Sequence, residues 1–257
     1  MKIRLHQFLS KTGEFSSKSE VKRAIWDGEV LVNGSIVKDI SYEFNPEKRV
    51  ITYMGEVLEL PINERYFLLN KPSGVICSRL NKEESSLGKC SVFELFKDSL
   101  SPNTFRSLVT VGRLDEGTTG FLLVTTDGNI VHRITNPDSR IGKSYRVNTR
   151  VEVSEEQANS IRRGVRVTDP DRVSDTYVSR PAELTLEGGK VAIITIDEGK
   201  KREIKRIFEA VGNNVVKLHR VSIGNMVLSD YKLGIGDFCE VTLDEITIKI
   251  LNNKSSV

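Results

Sequence analysis

Residues 65–196 consist mainly of short apolar runs with the length of β-strands, separated by turns that contain glycine, proline and aspartate. Residues 121–124 (Phe-Leu-Leu-Val) and residues 191–196 are the clearest of these runs, whereas residues 155–163 have the amphipathic pattern of a helix. Strand-like and helical segments do not alternate regularly, as they would in a parallel βαβ fold. The pattern therefore predicts an α+β domain built on a mostly antiparallel sheet.

Residues 1–58 have the pattern of a separate, smaller unit. Apolar residues at helical spacing within residues 5–9 predict a first helix, and Gly13 follows where a helix would end. Residues 17–20 (Ser-Lys-Ser-Glu) have the form of a capping box at the start of a second helix. The Asn-Gly pair at residues 33–34, between two valine-rich runs, predicts the tight turn of a hairpin.

The chain of 257 residues has room for one or two domains. We expect residues 59–64 to link the small unit to a larger domain over residues 65–251. Residues 252–257 are predicted to form a polar tail.

The composition argues against several classes of protein. Hydrophobic residues make up 38% of the chain and charged residues 28%, which is typical of a globular protein. The three cysteines, Cys77, Cys90 and Cys239, are odd in number and far apart, and the three histidines are equally scattered. We therefore expect neither a disulfide scaffold nor a structural zinc site.

The apolar runs are also too short for a membrane protein, because a helix needs roughly 20 apolar residues to span a bilayer. The N-terminal residues contain no apolar core of a signal peptide. These patterns predict a cytoplasmic protein in the reduced state, without membrane contact.

The formal net charge of +3 permits an anionic partner but does not require one. Two local clusters are more informative. Five of the seven residues 200–206 are basic, and Lys18 and Lys22 share one face of the second helix. Each cluster fits either a solvated helix face or an RNA-binding surface, and the residues alone leave both interpretations open.

Asp115 lies in a glycine-rich loop, residues 112–120, between two apolar segments. Glycines permit a tight backbone path and close approach of a ligand. An aspartate in such a loop is also typical of a turn in which the side chain bonds to its own backbone. The residues alone leave the choice between a reactive and a turn-forming carboxylate open.

Residues 4–13, 16–20 and 28–34 resemble the helix–helix–hairpin RNA-binding module first described in a small-subunit ribosomal protein. The resemblance implies an RNA-binding platform that does no chemistry itself. One departure is Lys18, because the second helix of the module usually opens with Ser-Arg, and lysine lacks the planar fork of arginine. The RNA-binding residues that the resemblance implies are Arg4, Lys11, Ser17, Lys18, Lys22, Arg23 and Asn33.

Five later segments, in the expected order over residues 66–242, resemble the pseudouridine synthases, in particular the branch that modifies ribosomal RNA and carries the same front module. The segments are residues 69–74 (Leu-Asn-Lys-Pro-Ser-Gly), 112–128, 143–147, 198–208 and 218–220 (Leu-His-Arg). The resemblance implies a catalytic domain on a mostly antiparallel mixed sheet with flanking helices. It also implies an isomerisation of uridine to pseudouridine, which oxidises nothing and transfers no group from outside, so we expect no cofactor and no metal.

The resemblance implies that Asp115 is the nucleophile, that Lys205 is its basic partner and that Tyr145 stacks on the target base and helps to remove the final proton. The carboxylate would either attack the anomeric carbon of the ribose or abstract a ribose proton to give a glycal, and both routes stay open. Either route needs an ionised carboxylate beside a cation. Arg113 would hold a phosphate or fill the gap left by the extruded base. The side chains expected to follow the RNA backbone are Arg202, Arg206 and Arg220.

Residues 118–120, 132–137 and 206–213 look most like the subgroup that acts on small-subunit ribosomal RNA. We therefore predict a monomeric enzyme whose partner is ribosomal RNA or an assembling ribosomal subunit.

Three alternatives differ from this prediction. The first keeps the chemistry but acts on large-subunit ribosomal RNA. The second is a non-catalytic RNA-binding assembly factor with an inactive synthase domain; the joint presence of Asp115, Tyr145 and Lys205 argues against it. The third is a metal-dependent RNA hydrolase, which would need clustered carboxylates, whereas Asp115 and Glu116 are adjacent and would point apart.

Overall fold

The computed structural model describes residues 2–60, 64–169 and 172–252. Residues 61–63 of the expected linker and residues 253–257 of the expected tail lie outside this description. No helix of the described residues is both long enough and apolar enough to cross a membrane.

The chain forms two compact units. The first comprises Met1–Glu64 together with Phe96–Val109, and the second comprises Arg65–Leu95 together with Thr110–Val257. The segment Phe96–Val109, which the sequence analysis assigned to the larger domain, thus belongs with the N-terminal residues. The boundaries predicted from the sequence stay predictions.

The strands are, in chain order, β1 (Ile3–Arg4), β2 (Val30–Val32), β3 (Ser35–Ile36), β4 (Glu43–Phe44), β5 (Ile51–Tyr53), β6 (Glu56–Leu58), β7 (Tyr66–Lys71), β8 (Val75–Ile76), β9 (Cys90–Ser91), β10 (Val109–Thr110), β11 (Thr119–Thr125), β12 (Lys143–Thr149), β13 (Arg166–Asp169), β14 (Arg172–Val178), β15 (Glu183–Gly188), β16 (Val191–Ile196), β17 (Val215–Ile223), β18 (Met226–Val227) and β19 (Phe238–Val241).

The α-helices are α1 (Leu5–Thr12), α2 (Lys18–Asp27), α3 (Lys82–Ser86), α4 (Pro102–Ser107), α5 (Gly128–Thr135), α6 (Glu155–Arg163), α7 (Glu203–Ala210) and α8 (Leu243–Ile246). Short 3₁₀ turns lie at Val92–Phe96, Pro137–Ser139 and Leu228–Tyr231, and a π-helical turn lies at Thr247–Leu251.

The helix boundaries in the first unit follow from local signals. α1 ends at Gly13, which has a left-handed φ of 78°. At the start of α2 the Ser17 hydroxyl accepts the Glu20 N–H at 3.2 Å, as the capping box predicted. The Glu20 carboxylate accepts the N–H of Ser16 at 2.8 Å, and the hydrogen bonds from Ser16 lower the pKa of Glu20. α2 then ends at Gly28, also left-handed.

The predicted hairpin forms between β2 and β3 around Asn33 and Gly34, and both turn residues have positive φ. Its sheet has the order β3-β2-β5-β6, in which the pairing of β6 was not predicted. α1 and α2 pack on this unit through Leu5, Phe8 and Ile25, all of which are buried. The first unit is therefore a helix–helix–hairpin with its own core.

The second unit is built on a sheet with the strand order β15-β16-β12-β17-β11-β7-β19. Neighbouring strands along this order are antiparallel, except that β11 and β17 run parallel. α5 and the C-terminal helices cover one face through Ile130, Ile134, Ile246 and Ile250. The predicted α+β fold with a mostly antiparallel mixed sheet and flanking helices is confirmed.

β7 is buried over its whole length, and β11 nearly so, which explains why both have continuous apolar stretches instead of an alternating pattern. At the end of β7 the register pairs Lys71 with Gly120 of β11. A fully buried lysine therefore lies beside the loop that contains Asp115.

Residues 78–91 are mostly polar, and they contain α3 and β9. The side chain of Asn81 accepts the Glu84 N–H at 2.7 Å, and the Glu84 carboxylate accepts the Asn81 N–H at 2.9 Å. This reciprocal cap satisfies two amides and accounts for a helix in a segment without an apolar face.

Candidate active site

A cleft of about 470 Å³ lies in the second unit. The loop before β11 and the strands β12 and β17 line it, together with the turn that leads into α7. The residues of the sequence prediction that line this cleft are Arg113, Asp115, Tyr145, Arg202 and Arg220.

Lys205 and Asp115, the proposed ion pair, approach each other to 3.7 Å between Nζ and Oδ2. They are 90 positions apart in the chain, and the packing of α7 brings them together. The side chains keep 34% and 37% of their exposure, so water still reaches the pair in the free protein. A pair with this exposure stabilises the fold by at most about 1 kcal/mol.

Lys71 holds the backbone of the Asp115 loop in place. Its Nζ donates to the carbonyl oxygens of Pro72 at 2.9 Å, Glu116 at 3.2 Å and Thr118 at 3.0 Å. Burial lowers the pKa of Lys71, because the charged amine loses solvation. The Thr118 N–H also donates to the Asp115 carbonyl at 3.0 Å, which closes a backbone turn. The turn therefore presents the Asp115 side chain from a fixed position.

Gly120 allows β11 to approach β17 closely. A Cβ at this position would lie 2.3 Å from the carbonyl oxygen of Arg220 and 2.9 Å from the ring of His219. Its φ of 99° also disfavours other residues. The neighbouring Thr119 hydroxyl and His219 Nδ1 are 2.9 Å apart, and burial lowers the pKa of His219. The glycine thus fixes the spacing of the two strands that carry the cleft residues.

Arg220 brings buried positive charge to the cleft. Its side chain is only 2% exposed, and its Nε donates to the Phe121 carbonyl at 2.7 Å. The guanidinium carbon lies 6.0 Å from the ring centroid of Tyr145, which is itself buried. Burial, followed by the charge of Arg220, lowers the pKa of Lys143. Arg220 therefore lies near the aromatic ring, and Lys143 is a second cation with incomplete solvation in the same cleft.

Arg113 and Arg202 are exposed, and Arg202 adopts a left-handed backbone at the start of α7. Arg206 is buried instead, on the same side of α7 as Ile207, and its positive charge acts on Tyr177. The burial of Arg206 and Arg220 differs from the expectation that they follow an exposed RNA backbone. The basic cluster alone did not indicate which of its members α7 turns inward.

Glu198 and Glu203 are cleft residues that the sequence analysis missed. Both are buried, and their carboxyl groups hydrogen bond to each other. A weak signal existed, since Glu203 lies four residues before Ile207 and so shares its inward face. Lys71 and Lys143 were also missed as individual site residues.

In the first unit the expected RNA-binding residues fall into two groups. Lys18, Lys22 and Arg23 are exposed on α2. The others have partners within the unit: Arg4 pairs with Glu43 at 3.2 Å, Lys11 pairs with Glu64 at 2.9 Å, Ser17 caps α2, and the Asn33 side chain accepts the Val50 N–H at 2.8 Å.

Trp26, also on α2, is 56% exposed and was missed by the sequence analysis. It lies one helical turn after Lys22, so an aromatic ring and a cation share one face of the helix. The sequence analysis considered only the charge of this face, although the single tryptophan of the chain was visible in the sequence, four residues after Lys22.

Across the described ranges the structure gathers no group of three or more His, Cys, Asp or Glu side chains suited to hold a metal ion. The titratable groups that do meet around the cleft are carboxylates opposed to lysines and arginines.

Comparison with sequence families gives two matches. The family described as RNA pseudouridylate synthase matches residues 65–210, and the S4 domain matches residues 3–50.

Several curated proteins are similar to this chain over most of its length. A Bacillus subtilis protein described as an uncharacterised RNA pseudouridine synthase is 31% identical over 252 residues, which covers 95% of this chain and 97% of that protein. The ribosomal small subunit pseudouridine synthases A of Yersinia pestis and Escherichia coli are 33% and 34% identical over 244 residues. These alignments cover 95% of this chain and 97% and 98% of the two relatives.

A crystal structure described as a pseudouridylate synthase is similar in three dimensions. It has a TM-score of 0.65 and 32% sequence identity, and the alignment covers 95% of this chain and 98% of that chain.

Proposed function

The chain belongs to the RNA pseudouridylate synthase family and carries an S4 domain, which is an RNA-binding domain, and on this premise we propose that it converts a uridine of small-subunit ribosomal RNA into pseudouridine. The relatives from Yersinia pestis and Escherichia coli, whose names state this substrate, align over nearly their full length. The observation that carries the proposal is the 3.7 Å approach of Lys205 to Asp115 at a cleft lined by Tyr145 and Arg220.

In the proposed reaction Asp115 supplies the carboxylate that reacts with the ribose. It attacks the anomeric carbon and displaces the uracil, or it removes a ribose proton so that the uracil leaves and a glycal remains. In the first route the turned base bonds through C5 to the anomeric carbon and displaces the Asp115 carboxylate from it. In the second route C5 adds to the anomeric carbon of the glycal and Asp115 returns its proton to the ribose. In both routes C5 then loses its proton and N1 gains one, so Asp115 ends as the free carboxylate. The Lys205 amine lies 3.7 Å from the Asp115 carboxylate, and the attraction between the two charges strengthens once RNA excludes water from the pair.

The buried cations of the cleft would serve the same step. Both routes release the uracil with negative charge. Arg220 lies 6.0 Å from the ring of Tyr145, on which the base would stack, and Lys143 lines the same cleft. Charges that are already fixed in a site with little water stabilise a developing anion without reorganisation. This arrangement suits a reaction that proceeds without cofactor, with the protein supplying every charge.

The first unit would bind the RNA outside the reaction site. Lys18, Lys22 and Arg23 expose their charges on α2, where they can neutralise phosphates and release counterions. Trp26 offers an exposed ring for stacking with an unpaired base. An assembling ribosomal subunit would present such unpaired segments.

The proposal is tested by mapping pseudouridine in small- and large-subunit ribosomal RNA, as free transcripts and as assembling particles, after incubation with the protein. The wild type and Asp230→Asn, a matched change at an exposed aspartate outside the cleft, should modify one uridine of small-subunit RNA. Asp115→Asn should give no product and bind RNA within about threefold of the wild type, since it removes the reactive charge but keeps the shape.

Turnover by Asp115→Asn would contradict its role as nucleophile. If pseudouridine formed only in large-subunit RNA, the proposed substrate would be wrong and the proposed reaction would stand. RNA binding without product from the wild type, in every RNA form, would favour the assembly-factor alternative.

A further inference from the structure

Two glutamates meet under the start of α7. Glu203 is the first residue of the helix and is 3% exposed, and Glu198 precedes it in the turn after β16. Both side chains contact Lys200, because Glu203 accepts its N–H at 3.0 Å and Glu198 pairs with its amine at 3.0 Å. After burial, a hydrogen bond between the two carboxyl groups is the largest influence on the pKa of each. Two carboxyl oxygens can form such a bond only when one of them carries a proton, because two carboxylates are acceptors alone.

The other contacts show which of the two groups stays ionised. Glu198 accepts the Arg180 N–H at 2.8 Å and pairs with the Lys200 amine at 3.0 Å, and these bonds lower its pKa. Glu203 Oε2 accepts the Lys200 N–H at 3.0 Å, whereas its Oε1 is buried and meets no N–H or O–H donor among the described residues. An O–H on Glu203 facing Glu198 supplies the missing bond.

Charged and titratable groups on the neighbouring elements surround the two glutamates. The Lys200 amine lies 3.5 Å from the ring centroid of Tyr177 on β14, and the positive charge of Arg206 on α7 acts on that tyrosine. Arg180, after β14, pairs with Asp197 at 3.4 Å, and Lys143 of β12 lies within the field of Glu203. The cations nearest the pair are thus shared with Asp197, with Tyr177 and with Glu198 itself, which leaves Glu203 without a cation of its own among the described contacts.

The pair is mechanically connected to Lys205. The Glu203 carboxyl accepts the Lys200 N–H and the Glu203 N–H donates to the Lys200 carbonyl at 3.2 Å, so Glu203 closes the turn that begins α7. Lys205 lies two residues further along the same helix, on the side that reaches Asp115. A shift of the first turn of α7 would change the distance between the Lys205 amine and the Asp115 carboxylate.

We propose that Glu203 is a positioning residue that shares one proton with Glu198, and that this shared proton holds the first turn of α7 so that Lys205 stays beside Asp115. Loss of the proton leaves two carboxylates in contact in a buried place, and their repulsion displaces the turn. This inference rests on the proposed function for its catalytic consequence, whereas the proton itself can be tested without a substrate.

Burial, and then the bond to Glu198, raises the pKa of Glu203 to about 8. The ordinary value of 4.5 holds in the unfolded chain. Between these two values the folded protein holds a proton that the unfolded chain has released, so the free energy of unfolding falls as the pH rises through this window. Above it both states are ionised, and this contribution changes no further.

Glu203→Gln keeps the shape and donates permanently to Glu198 through its amide, so it removes the titration but not the bond. Glu209→Gln is the matched control, since Glu209 is exposed on the same helix. The first measurement is the melting temperature of wild type and both variants from pH 5 to pH 9. The stability of Glu203→Gln should rise relative to the wild type up to about pH 8 and then stay level, while Glu209→Gln follows the wild type.

The second measurement is the single-turnover rate of pseudouridine formation over the same pH range. Ionisation of one group near pH 8 should lower the wild-type and Glu209→Gln rates roughly tenfold between pH 7.5 and pH 9. The rate of Glu203→Gln should match the wild type at pH 7 and change less than twofold by pH 9. A merely structural carboxyl would leave the shape of this profile unchanged.

If the difference in melting temperature between Glu203→Gln and the wild type did not vary with pH, the two glutamates would not share a proton. Active enzymes whose rate profiles superimpose would overturn the link to Lys205. Failure of every ribosomal RNA to yield pseudouridine would contradict the proposed function alone, because the melting comparison needs no RNA.

Discussion

The first unit exposes the basic side chains of α2, whereas the second unit buries Lys71, Arg206 and Arg220. Exposed cations attract a polyanion over a distance of about a Debye length and lose this attraction in salt. Buried cations act on the groups around them in the protein and on a bound substrate, and water and salt screen these interactions much less. Lysine and arginine therefore serve to bind RNA in the first unit and to organise the reaction site in the second.

Arg220→Met should show the largest effect if the buried cations serve the reaction. It removes the fixed charge beside Tyr145 and should lower the single-turnover rate about 10²–10³-fold, with RNA affinity nearly unchanged. Arg146→Met, at an exposed arginine of β12, is the control and should leave the rate within twofold. If Arg220→Met greatly weakened RNA binding and left the single-turnover rate unchanged, Arg220 would act in RNA binding, as the exposed cations of α2 do, and not in the reaction.

Lys71→Met should act mainly on stability. Three carbonyl oxygens would lose their common donor, and the relief of desolvating a charge would offset only part of this, so we expect a loss of about 2–4 kcal/mol in the free energy of unfolding. Urea titration measures it. Lys89→Met alters a partly exposed lysine that binds the same loop through Glu116 at 2.8 Å, and it should destabilise the protein much less than Lys71→Met. If both variants lost the same free energy of unfolding, the burial of Lys71 would not increase its contribution to stability.

The smallest effect per substituted residue is expected for the basic residues of α2, and it concerns RNA affinity. Replacing Lys18, Lys22 and Arg23 together by glutamine should weaken RNA binding about tenfold at 0.1 M salt and reduce the slope of log affinity against log salt by about 2–3. The rate of the bound reaction should not change. A triple variant of exposed lysines elsewhere in the chain, Lys82, Lys97 and Lys232, serves as the control, and an unchanged slope in the α2 variant would contradict the RNA-binding role.

Much of the fold could be predicted from the sequence because local signals determine it. Gly13 and Gly28 end their helices in the left-handed conformation, and the turn at residues 33–34 forms the predicted hairpin. The resemblance to the pseudouridine synthases is confirmed by the family match over residues 65–210. Asp115 and Lys205 meet as that resemblance implied, and their catalytic roles stay predictions until a variant is measured.

What could not be predicted depends on contacts between distant segments. The 3.6-residue period of α7 does not show which of its basic residues packs inward. Arg206 is buried because α7 packs on β13 and β17, which are distant from it in the sequence. The pairing of Glu198 with Glu203 likewise requires the turn after β16 to fold under the helix. Phe96–Val109 joins the first unit through contacts such as Arg106 with Glu14 at 3.2 Å, for which the local sequence carries no signal.

Gly120 has a consequence for how this site could change over time. The hydrogen atom on its Cα occupies the space in which a methyl group would collide with the Arg220 carbonyl. An alanine there would force β11 and β17 apart without altering a single reactive group. A related protein could therefore keep every catalytic residue and still have lost its activity. Sequence comparison should examine the position of Gly120 together with the catalytic residues.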